Sequence, residues 1–392
     1  MQLVLPFKQL SLAQTQWHLD MRLLLPVLAL LSIGLIMVAS ASFSFAEHRL
    51  GDQLFFFKRH LAYLLIAAGA MAVGFFVSPS IWANYGRLWI LLAAFLLIIV
   101  LIPGIGREVN GSRRWLAFAG FTLQVSELVK VATVVFLAAH LEKHRDTLSD
   151  DWREFFKLIA VIVVLSILLL MEPDFGSAVT LSCTFMALLF LGGSHIRQFS
   201  LVFAAGLLAI GALAYTAPYR LERLATYLDP WADPFNAGYQ LIQSLIAFGR
   251  GEWFGVGLGQ SVQKMLYLPE AHTDFVFAIF AEEFGFVGVL CLMSLYVLLI
   301  LRVLQLGKLA IGRKNWYAAF VLIGFGLLLS GQTFINLGVN AGLLPTKGLT
   351  LPFVSYGGSS LLVCCAMIGM MLRFAHEFQS PAAAVRRPRY GK

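Results

Sequence analysis

Ten apolar runs, separated by shorter polar segments, dominate the chain from residue 23 onward. Each approaches the roughly 20 residues that a helix needs to cross the hydrocarbon core of a bilayer. The pattern therefore predicts an all-α polytopic membrane protein with about ten transmembrane helices. The predicted spans are Leu23–Phe43, Leu61–Val77, Leu88–Ile102, Val125–Leu141, Phe156–Met171, Ala178–Leu191, Phe199–Tyr215, Phe275–Leu301, Trp316–Leu337 and Gly357–Phe374.

The even number of spans predicts that both termini lie on the same side of the membrane. The segments that share this side hold 17 of the 29 lysines and arginines, and basic residues are enriched on the cytoplasmic side. We therefore expect a cytoplasmic N-terminal segment (residues 1–22), a transmembrane domain (residues 23–376) and a basic cytoplasmic tail (residues 377–392).

The longest polar connection, residues 216–273, lies between the seventh and eighth predicted spans. It is too long for a simple linker and too short for a separate domain, so we expect a large, functional periplasmic loop. Leu241, Leu245 and Phe248 repeat at helical spacing opposite polar residues, which predicts a short interfacial helix. Five glycines follow between residues 249 and 259. They suit turns better than a phosphate-binding loop, since no flanking strand-helix unit is present.

The composition supports the membrane class and narrows the chemistry. The chain is 59% hydrophobic and 13% charged, with a mean hydropathy of +0.80, which excludes an ordinary soluble protein. All four cysteines fall within apolar runs, so neither a disulfide framework nor a cysteine metal site is predicted. The net charge of +8 is spread between the spans, which favours topology and anionic lipid over nucleic acid as its explanation.

The stretch Tyr267–Phe277 ends the long polar connection and opens the eighth span. Pro269 fits the turn before a helix, and Thr273 or Asp274 can cap a helix that begins at Phe275. A carboxylate at this border is partly desolvated, which raises its pKa toward the range of a general base. Asp274 is therefore a candidate base, and an ordinary helix N-cap is the simpler alternative.

Glu127, Lys130, Glu282 and Glu283 fall inside predicted spans, where an unpaired charge costs roughly 2.5–3.5 kcal/mol. Glu127 and Lys130 lie three residues apart on one helix face, so we predict a buried ion pair. Such a pair either fixes packing or helps to orient Asp274 or substrate. Glu282 and Glu283 leave open a polar path through the bundle.

Eight basic residues fall in predicted outer loops, against the positive-inside rule. They are Arg107, Arg113, Arg114, Arg220, Arg223, Arg250, Lys264 and Lys347. Basic side chains outside the membrane suggest an anionic ligand there. For any single one of them, contact with lipid headgroups or acidic loop residues is the better explanation.

Six short motifs follow one another along the chain: Asn110–Trp115, Gln124–Lys130, Glu172–Gly176, Gly238–Ser244, Leu268–Phe275 and Ser355–Ser360. Their residues and order resemble those of the SEDS family (shape, elongation, division and sporulation), across nearly the whole chain. Three segments resemble the division member of the family more than the elongation member: Asp229–Trp231, Phe248–Glu252 and Leu344–Pro352. Val125 and Glu172 depart from the family pattern, which usually has Pro and Gln there.

The resemblance implies a peptidoglycan glycosyltransferase that polymerises lipid II for septal wall synthesis during cell division. Its active site would face the periplasm, at the outer surface of the cytoplasmic membrane. Asp274 matches the catalytic aspartate of the family. The resemblance also implies a complex with a class B penicillin-binding protein, the division transpeptidase FtsI, and with other divisome proteins.

This reaction joins the 4-hydroxyl of a GlcNAc to the anomeric carbon of a MurNAc, and undecaprenyl pyrophosphate leaves. The hydroxyl needs a positioned base, and the pyrophosphate needs cations or N–H donors. A divalent cation, Mg²⁺ or Mn²⁺, could share the cationic role, and the sequence indicates no other cofactor. Besides Asp274, the candidate substrate-binding residues are Arg113, Arg114, Gln124, Glu127, Lys130, Arg220, Arg223, Gln240, Gln243, Ser244, Arg250, Lys264, His272, Thr273, Lys347, Ser355 and Ser359.

Two other functions fit parts of the pattern. A lipid II flippase would also use intramembrane charges, but it needs a polar path that reaches both leaflets. A non-catalytic divisome scaffold needs neither a base nor a path. An enzyme would place its acidic and basic residues at one outer surface of the membrane. Most of the candidate residues in this sequence are predicted to lie there.

Overall fold

A computed structural model describes residues 18–109, 111–118, 121–145, 147–148, 151–215, 227–236, 238–345 and 348–379. Three basic candidates, Arg220, Arg223 and Lys347, lie outside the described residues. So do most of the predicted N-terminal segment and the basic tail from residue 380.

Twelve helices make up most of the described chain. They are α1 (Met21–Leu50), α2 (Phe55–Phe76), α3 (Pro79–Asn84), α4 (Gly86–Leu101), α5 (Val125–His144), α6 (Trp152–Met171), α7 (Phe175–Leu191), α8 (Ile196–Tyr215), α9 (Tyr239–Gly251), α10 (Val276–Gly312), α11 (Trp316–Asn340) and α12 (Gly358–Gln379). Ten of them overlap the ten predicted spans one to one, so the predicted fold class is confirmed. The short helix predicted in the long connection is α9.

The helices have the lengths and surfaces of a multi-pass membrane protein. Helices α1, α2, α6, α10, α11 and α12 are long and apolar enough to cross a membrane, while α4, α7 and the described part of α8 are shorter apolar helices. Large apolar side chains such as Leu65, Leu91 and Leu208 are exposed on the outside of the bundle. Large apolar side chains exposed in this way suit lipid as their solvent.

A small antiparallel sheet adds to the predicted helices in the connection between α4 and α5. Its strands β1 (Gly106–Val109), β2 (Ser112–Phe118) and β3 (Phe121–Gln124) pair in chain order. The last strand runs directly into α5. We call the end of the bundle that carries this sheet the hairpin end, and the other end the opposite end.

Helix α10 is interrupted near the hairpin end at Gly285, where φ is +64° and ψ is −167°. The interruption leaves backbone groups without helical partners, and the loop after α9 supplies them. Amides of residues 286–287 donate to carbonyls of residues 252–253 at 2.9 and 3.1 Å, and amides of residues 256–257 donate to carbonyls of residues 282–283 at 3.0 Å. The buried polar backbone is thereby satisfied.

The glycines after α9 allow this close approach of loop and helix. A Cβ at Gly255 would lie 2.1 Å from the Glu283 carbonyl oxygen, and a Cβ at Gly251 would lie 2.1 Å from that of Ala281. Gly255 also has a φ of +81°, which disfavours other residues. Backbone packing against α10 therefore explains these two glycines without a phosphate.

Candidate active site

Asp274 lies at the hairpin end, two residues before α10 begins at Val276. Phe275 occupies the N-cap position, and its side chain caps no helix amide. Asn340 from α11 takes that role, because its Oδ1 accepts a hydrogen bond from the Ala278 N–H at 3.1 Å. The prediction that Thr273 or Asp274 caps this helix is therefore wrong: an amide from a neighbouring helix does so.

Two buried asparagines hold the backbone of Asp274 in place. The Nδ2 groups of Asn336 and Asn340 each donate to the Asp274 carbonyl oxygen at 2.9 Å, and Asn336 also donates to the Leu349 carbonyl at 2.6 Å. Sequence reasoning missed both residues. Their signal was a pair of amides four residues apart on one face of an otherwise apolar span.

The side chain of Asp274 is half-buried against the backbone that precedes α12. A Cβ at Gly348 would lie 2.9 Å from Asp274 Oδ2, so only glycine leaves the carboxylate its present space. No donor among the described residues hydrogen-bonds this carboxylate. Hydrogen bonds therefore fix the main chain of Asp274, while its carboxylate oxygens accept none from the described residues.

The surroundings of Asp274 disfavour its charged form. Burial raises the pKa of Asp274 to about 7, and the nearby Glu270 carboxylate also acts to raise it, whereas the Arg114 guanidinium opposes the shift. A carboxyl with a pKa near neutrality can accept a proton more readily than an ordinary aspartate can.

Arg114 connects the sheet to the turn between α6 and α7. Its Nε donates to the Glu172 carbonyl at 2.9 Å, and its guanidinium lies 3.9 Å from Asp174 Oδ1. Asp174 also caps α7 by accepting from the Ser177 N–H at 3.1 Å. These contacts place one partly exposed cation near both Asp174 and Asp274.

Gln124 and Ser359 attach the sheet to α12. The Ser359 hydroxyl accepts from the Gln124 N–H at 2.8 Å and donates to the Thr122 carbonyl at 3.0 Å. The Gln124 side chain reaches Asp174 Oδ2 at 3.4 Å. The two sequence candidates therefore form one network with the α6–α7 turn.

A family model for the FtsW, RodA and SpoVE cell cycle proteins matches residues 21–380. The chain belongs to this family. It is the SEDS family that the sequence motifs indicated, so that prediction is confirmed.

Relatives and solved structures agree with the family assignment. The chain is 50% identical over 92% of its length to a "Probable peptidoglycan glycosyltransferase FtsW" of Pseudomonas fluorescens, covering 88% of that relative. It is 48% identical over 93% of its length to a protein of the same name from Coxiella burnetii, covering 98% of it. One similar chain comes from a peptidoglycan synthase complex that coordinates polymerization and crosslinking (TM-score 0.76, 29% identity, covering 92% of this chain and 98% of the other). Another is the rod shape determining protein RodA of Thermus thermophilus (TM-score 0.68, 27% identity, covering 92% of this chain and 97% of the other).

The SEDS motifs converge at the hairpin end. Gln124–Lys130 contacts Glu172–Gly176 and Ser355–Ser360 through the network of Gln124, Asp174 and Ser359. Leu268–Phe275 joins them where the Tyr356 N–H donates to the His272 carbonyl at 2.9 Å. Motifs separated by more than 200 residues in sequence thus surround one region beside Asp274.

His272 contributes to this region through its backbone and its aromatic contacts. Its ring lies 4.6 Å from the Phe56 ring, 5.4 Å from that of Phe45 and 5.7 Å from that of Tyr356, measured between centroids. Burial lowers the pKa of His272, which keeps the imidazole neutral at pH 7. No hydrogen bond among the described residues joins this ring to Asp274, so the structure gives no support to His272 as its orienting group.

Thr273 and Ser355 organise the loops on either side of Asp274. The Thr273 hydroxyl donates to Glu270 Oε2 at 2.6 Å and so fixes the neighbouring carboxylate. The Ser355 hydroxyl accepts from the Leu351 N–H at 2.8 Å, closing the turn that precedes α12. Both hydroxyls therefore shape the region around the candidate base.

Two basic candidates of the long connection are paired with intramembrane acids. Arg250 Nε lies 3.1 Å from Glu282 Oε1, and Lys264 Nζ lies 2.6 Å from Glu283 Oε1. Ser40 of α1 bridges the second pair, 2.8 Å from the lysine and 2.7 Å from the glutamate. The two ion pairs balance the negative charges of both glutamates and link the long polar connection to α10.

The charged candidates Arg113, Glu127 and Lys130 have more local roles. Arg113 pairs across the sheet with Glu108 at 2.9 Å, and both are exposed. The predicted buried pair of Glu127 and Lys130 is confirmed, with 2.8 Å between its charged atoms. All three side chains are therefore satisfied within the protein.

The polar candidates Gln240, Gln243 and Ser244 lie on one side of α9 but differ in burial. Ser244 is fully buried and donates to the Asn340 carbonyl at 2.7 Å, so it supports the asparagine that caps α10. Gln240 and Gln243 are half-buried on the same helix. Arg250, the fourth candidate on α9, is paired with Glu282, so the two glutamines keep the partial exposure expected for contact with a ligand.

Glu172, one of the two departures from the SEDS pattern, is buried in the α6–α7 turn. Neither carboxylate oxygen has a hydrogen-bond partner among the described residues. Burial raises the pKa of Glu172 to about 8, the Asp174 carboxylate also acts to raise it, and Arg114 opposes the shift. At pH 7 the side chain is mostly neutral, as the more common glutamine would be.

We expect Glu172→Gln to stabilise the protein at alkaline pH. The folded-state pKa lies above the ordinary glutamate value of 4.5. Below about pH 4.5 the acid is protonated in both the folded and the unfolded wild type, so it does not lower the free energy of unfolding. That free energy then falls as the pH rises through 8. Glutamine does not titrate, so the variant should melt at the same temperature as the wild type near pH 4.5 and several degrees higher at pH 9.

Thermal melts of the detergent-solubilised protein at these two pH values test this expectation. Glu108→Gln removes an exposed carboxylate from the same end of the bundle and serves as the control. A pH-independent difference between Glu172→Gln and the wild type would show that Glu172 is ionised in the folded protein.

Proposed function

We propose that this chain polymerises lipid II at the outer face of the cytoplasmic membrane, with Asp274 as the general base. Asp274 accepts the proton of the GlcNAc 4-hydroxyl as that oxygen bonds to the MurNAc anomeric carbon. The bond from this carbon to undecaprenyl pyrophosphate breaks, and the leaving group takes the electron pair. A single displacement of this kind inverts the anomeric carbon and needs no covalent intermediate.

The state of Asp274 is the observation that carries the proposal. The side-chain amides of two buried asparagines hydrogen-bond its main chain. Its carboxylate accepts no hydrogen bond from any described residue, and its pKa is raised to about 7. A carboxylate that served only to cap a helix would be hydrogen-bonded to amides, which lowers its pKa. Family membership and the names of the relatives supply the reaction.

Arg114 is the described cation best placed to meet the pyrophosphate. It affects the Asp274 carboxyl electrostatically, and its guanidinium is bonded to a backbone carbonyl rather than held in a tight carboxylate pair. Arg220, Arg223 and Lys347 stay proposed as further phosphate contacts on the sequence alone. Gln240 and Gln243 are proposed to contact the sugars.

A divalent cation, Mg²⁺ or Mn²⁺, would arrive with the substrate under this proposal. Among the described residues, no group of three acidic, histidine or cysteine ligands forms a ready cage at the hairpin end. Mg²⁺ commonly binds through one or two carboxylates together with substrate phosphates, and Asp274 and Glu270 could supply these carboxylates. The ion would neutralise charge on the leaving pyrophosphate.

The same proposal places the protein in the division machinery. The hairpin end would face the periplasm and both termini the cytoplasm, as the distribution of basic residues predicts. A class B penicillin-binding protein, the transpeptidase FtsI, is the proposed partner at the septum, together with other divisome proteins. A similar fold within a complex that coordinates polymerization and crosslinking supports this pairing.

The paired charges favour an enzyme over a flippase. Glu282 and Glu283 are compensated near the hairpin end, and Glu127 is paired with Lys130 inside the bundle. Incubating the purified protein with labelled lipid II, with and without its penicillin-binding partner, tests the proposal. Glycan strands are the expected product, whereas transfer of lipid II across vesicle membranes without strands would support the flippase.

The rate of polymerisation should depend on pH through Asp274. Only the ionised carboxylate accepts a proton, so below pH 7 the rate should fall about tenfold per pH unit and above pH 7 it should level off. Glu270→Gln removes a negative charge that raises this pKa, and it should move the midpoint to lower pH. An unchanged midpoint in that variant would assign the titration to another group.

A further inference from the structure

A cluster of metal-binding side chains lies at the opposite end of the bundle, far from Asp274. His140 and His144 lie four residues apart on α5, and Glu154 is in the first turn of α6. We call these three residues the His140 cluster. At 1.5 Å per residue, His140 lies about 24 Å along α5 from Gln124 at the hairpin end.

The three side chains come close enough to share one ion. One potential ligand atom from each residue lies within 4.8 Å of the other two. His140 Nε2 and Glu154 Oε2 are 3.4 Å apart, which matches the about 3.4 Å between ligands of a tetrahedral Zn²⁺ with 2.0–2.2 Å bonds. His140 Nε2 is buried and makes no well-directed hydrogen bond to any described residue.

The second histidine is oriented in the manner of a metal ligand. His144 Nδ1 lies 3.1 Å from the His140 carbonyl oxygen. Donation of the Nδ1 proton to this oxygen leaves the Nε2 lone pair available, and ligating histidines are usually fixed through their other ring nitrogen in this way. The two rings stack with centroids 4.3 Å apart, so one face of α5 presents both imidazoles.

We propose that the His140 cluster binds a transition-metal ion of the Zn²⁺ type, with two imidazoles, one carboxylate and water as ligands. Imidazole favours such metals over Mg²⁺ and Ca²⁺, which prefer oxygen ligands. Two histidines at i and i+4 on one helix face are a recurrent zinc-binding arrangement. The ion would join the end of α5 to the start of α6 and stabilise the connection between them.

Neighbouring positive charges lower the affinity of the His140 cluster for a metal cation, and removing one of them tests the proposal. The Lys157 ammonium pairs with Glu154 Oε1, and Arg87 also acts electrostatically on His140. Lys157 is 67% exposed, so its removal should cost little in folding. Because Lys157 competes with the metal for Glu154, Lys157→Ala should strengthen metal binding several-fold.

Co²⁺ titration of the full-length, tag-free protein in detergent tests the proposal, with Zn²⁺ competition as a second measurement. We expect one Co²⁺ per chain, with the visible absorption of a tetrahedral site, displaced by Zn²⁺. His140→Ala, His144→Gln and Glu154→Gln should each weaken binding more than about tenfold. His48→Gln, which removes an exposed histidine elsewhere, should leave binding unchanged.

The outcomes separate a built site from chance binding. Thermal melts without metal establish that each variant is folded. If His140→Ala is unstable, His144→Gln serves as the test instead, because glutamine keeps a side chain of similar polarity. Absence of the tetrahedral Co²⁺ spectrum would overturn the proposal. So would equal affinities of the wild type, His144→Gln and Glu154→Gln, or a failure of Lys157→Ala to tighten binding.

Discussion

Replacing Asp274 with Asn should abolish glycan polymerisation while leaving the protein folded. A positioned general base contributes about 10²–10⁴-fold to a rate, and the amide of asparagine cannot accept the hydroxyl proton. The fold should tolerate the change, because the contacts that hold this residue are made by its carbonyl oxygen to Asn336 and Asn340. Polymerisation of labelled lipid II by the purified variant, alone and with the proposed penicillin-binding protein, measures the loss.

Two controls separate loss of the base from loss of the fold. Glu108→Gln removes an exposed carboxylate from the same end of the bundle and should retain the wild-type activity. The Asp274→Asn protein should melt at or above the wild-type temperature, since burial disfavours the charged aspartate. Normal glycan strands from Asp274→Asn would remove Asp274 from the role of base.

Replacing Gly285 with Ala should cause a large loss of stability. The φ of +64° and ψ of −167° at this residue belong to a region that glycine alone adopts readily. An added Cβ would lie 2.3 Å from the Gly255 nitrogen and 2.7 Å from the Gly251 carbonyl oxygen. Backbone cannot move aside as a side chain can, so we expect a loss of about 3 kcal/mol or more.

Gly312→Ala provides a matched control at the end of the same helix. A Cβ there would meet no atom within 4 Å, and the residue has no positive φ. Alanine also favours helix over glycine, so Gly312→Ala should be neutral or stabilising. Thermal melts and yields of folded, monodisperse protein distinguish the two variants. Equal melting temperatures for them would mean that the interruption in α10 is not a constrained part of the fold.

Local sequence predicts some features of the surroundings of Asp274 and misses others. The border between polar loop and apolar span points to Asp274 from the sequence, and motif order points to the family. The same border predicts Thr273 or Asp274 as the cap of α10, since capping is usually supplied by residues adjacent in sequence. The actual cap is Asn340, which lies 62 residues away from Ala278, and no local pattern reports a partner at that distance.

The charged loop residues show the same division. The sequence makes Arg250 and Lys264 candidates for contact with an anionic substrate, because their loop is expected to lie outside the membrane, and it leaves pairing with acidic residues as the alternative. The structure pairs them with Glu282 and Glu283, because the interruption at Gly285 brings the loop against α10. A glycine within an apolar run gives no indication of an interruption, since most such glycines simply pack within a helix.

By itself, the sequence determined the positions of ten apolar helices, the membrane class, the family and the identity of the candidate base. These follow from hydrophobic runs, composition and short motifs, all of which are properties of neighbouring residues. Only the tertiary structure decided which amides hold Asp274, which cations remain near it, and that His140, His144 and Glu154 meet at the opposite end. Such contacts depend on how helices pack across the bundle, and packing partners are not encoded in any one segment.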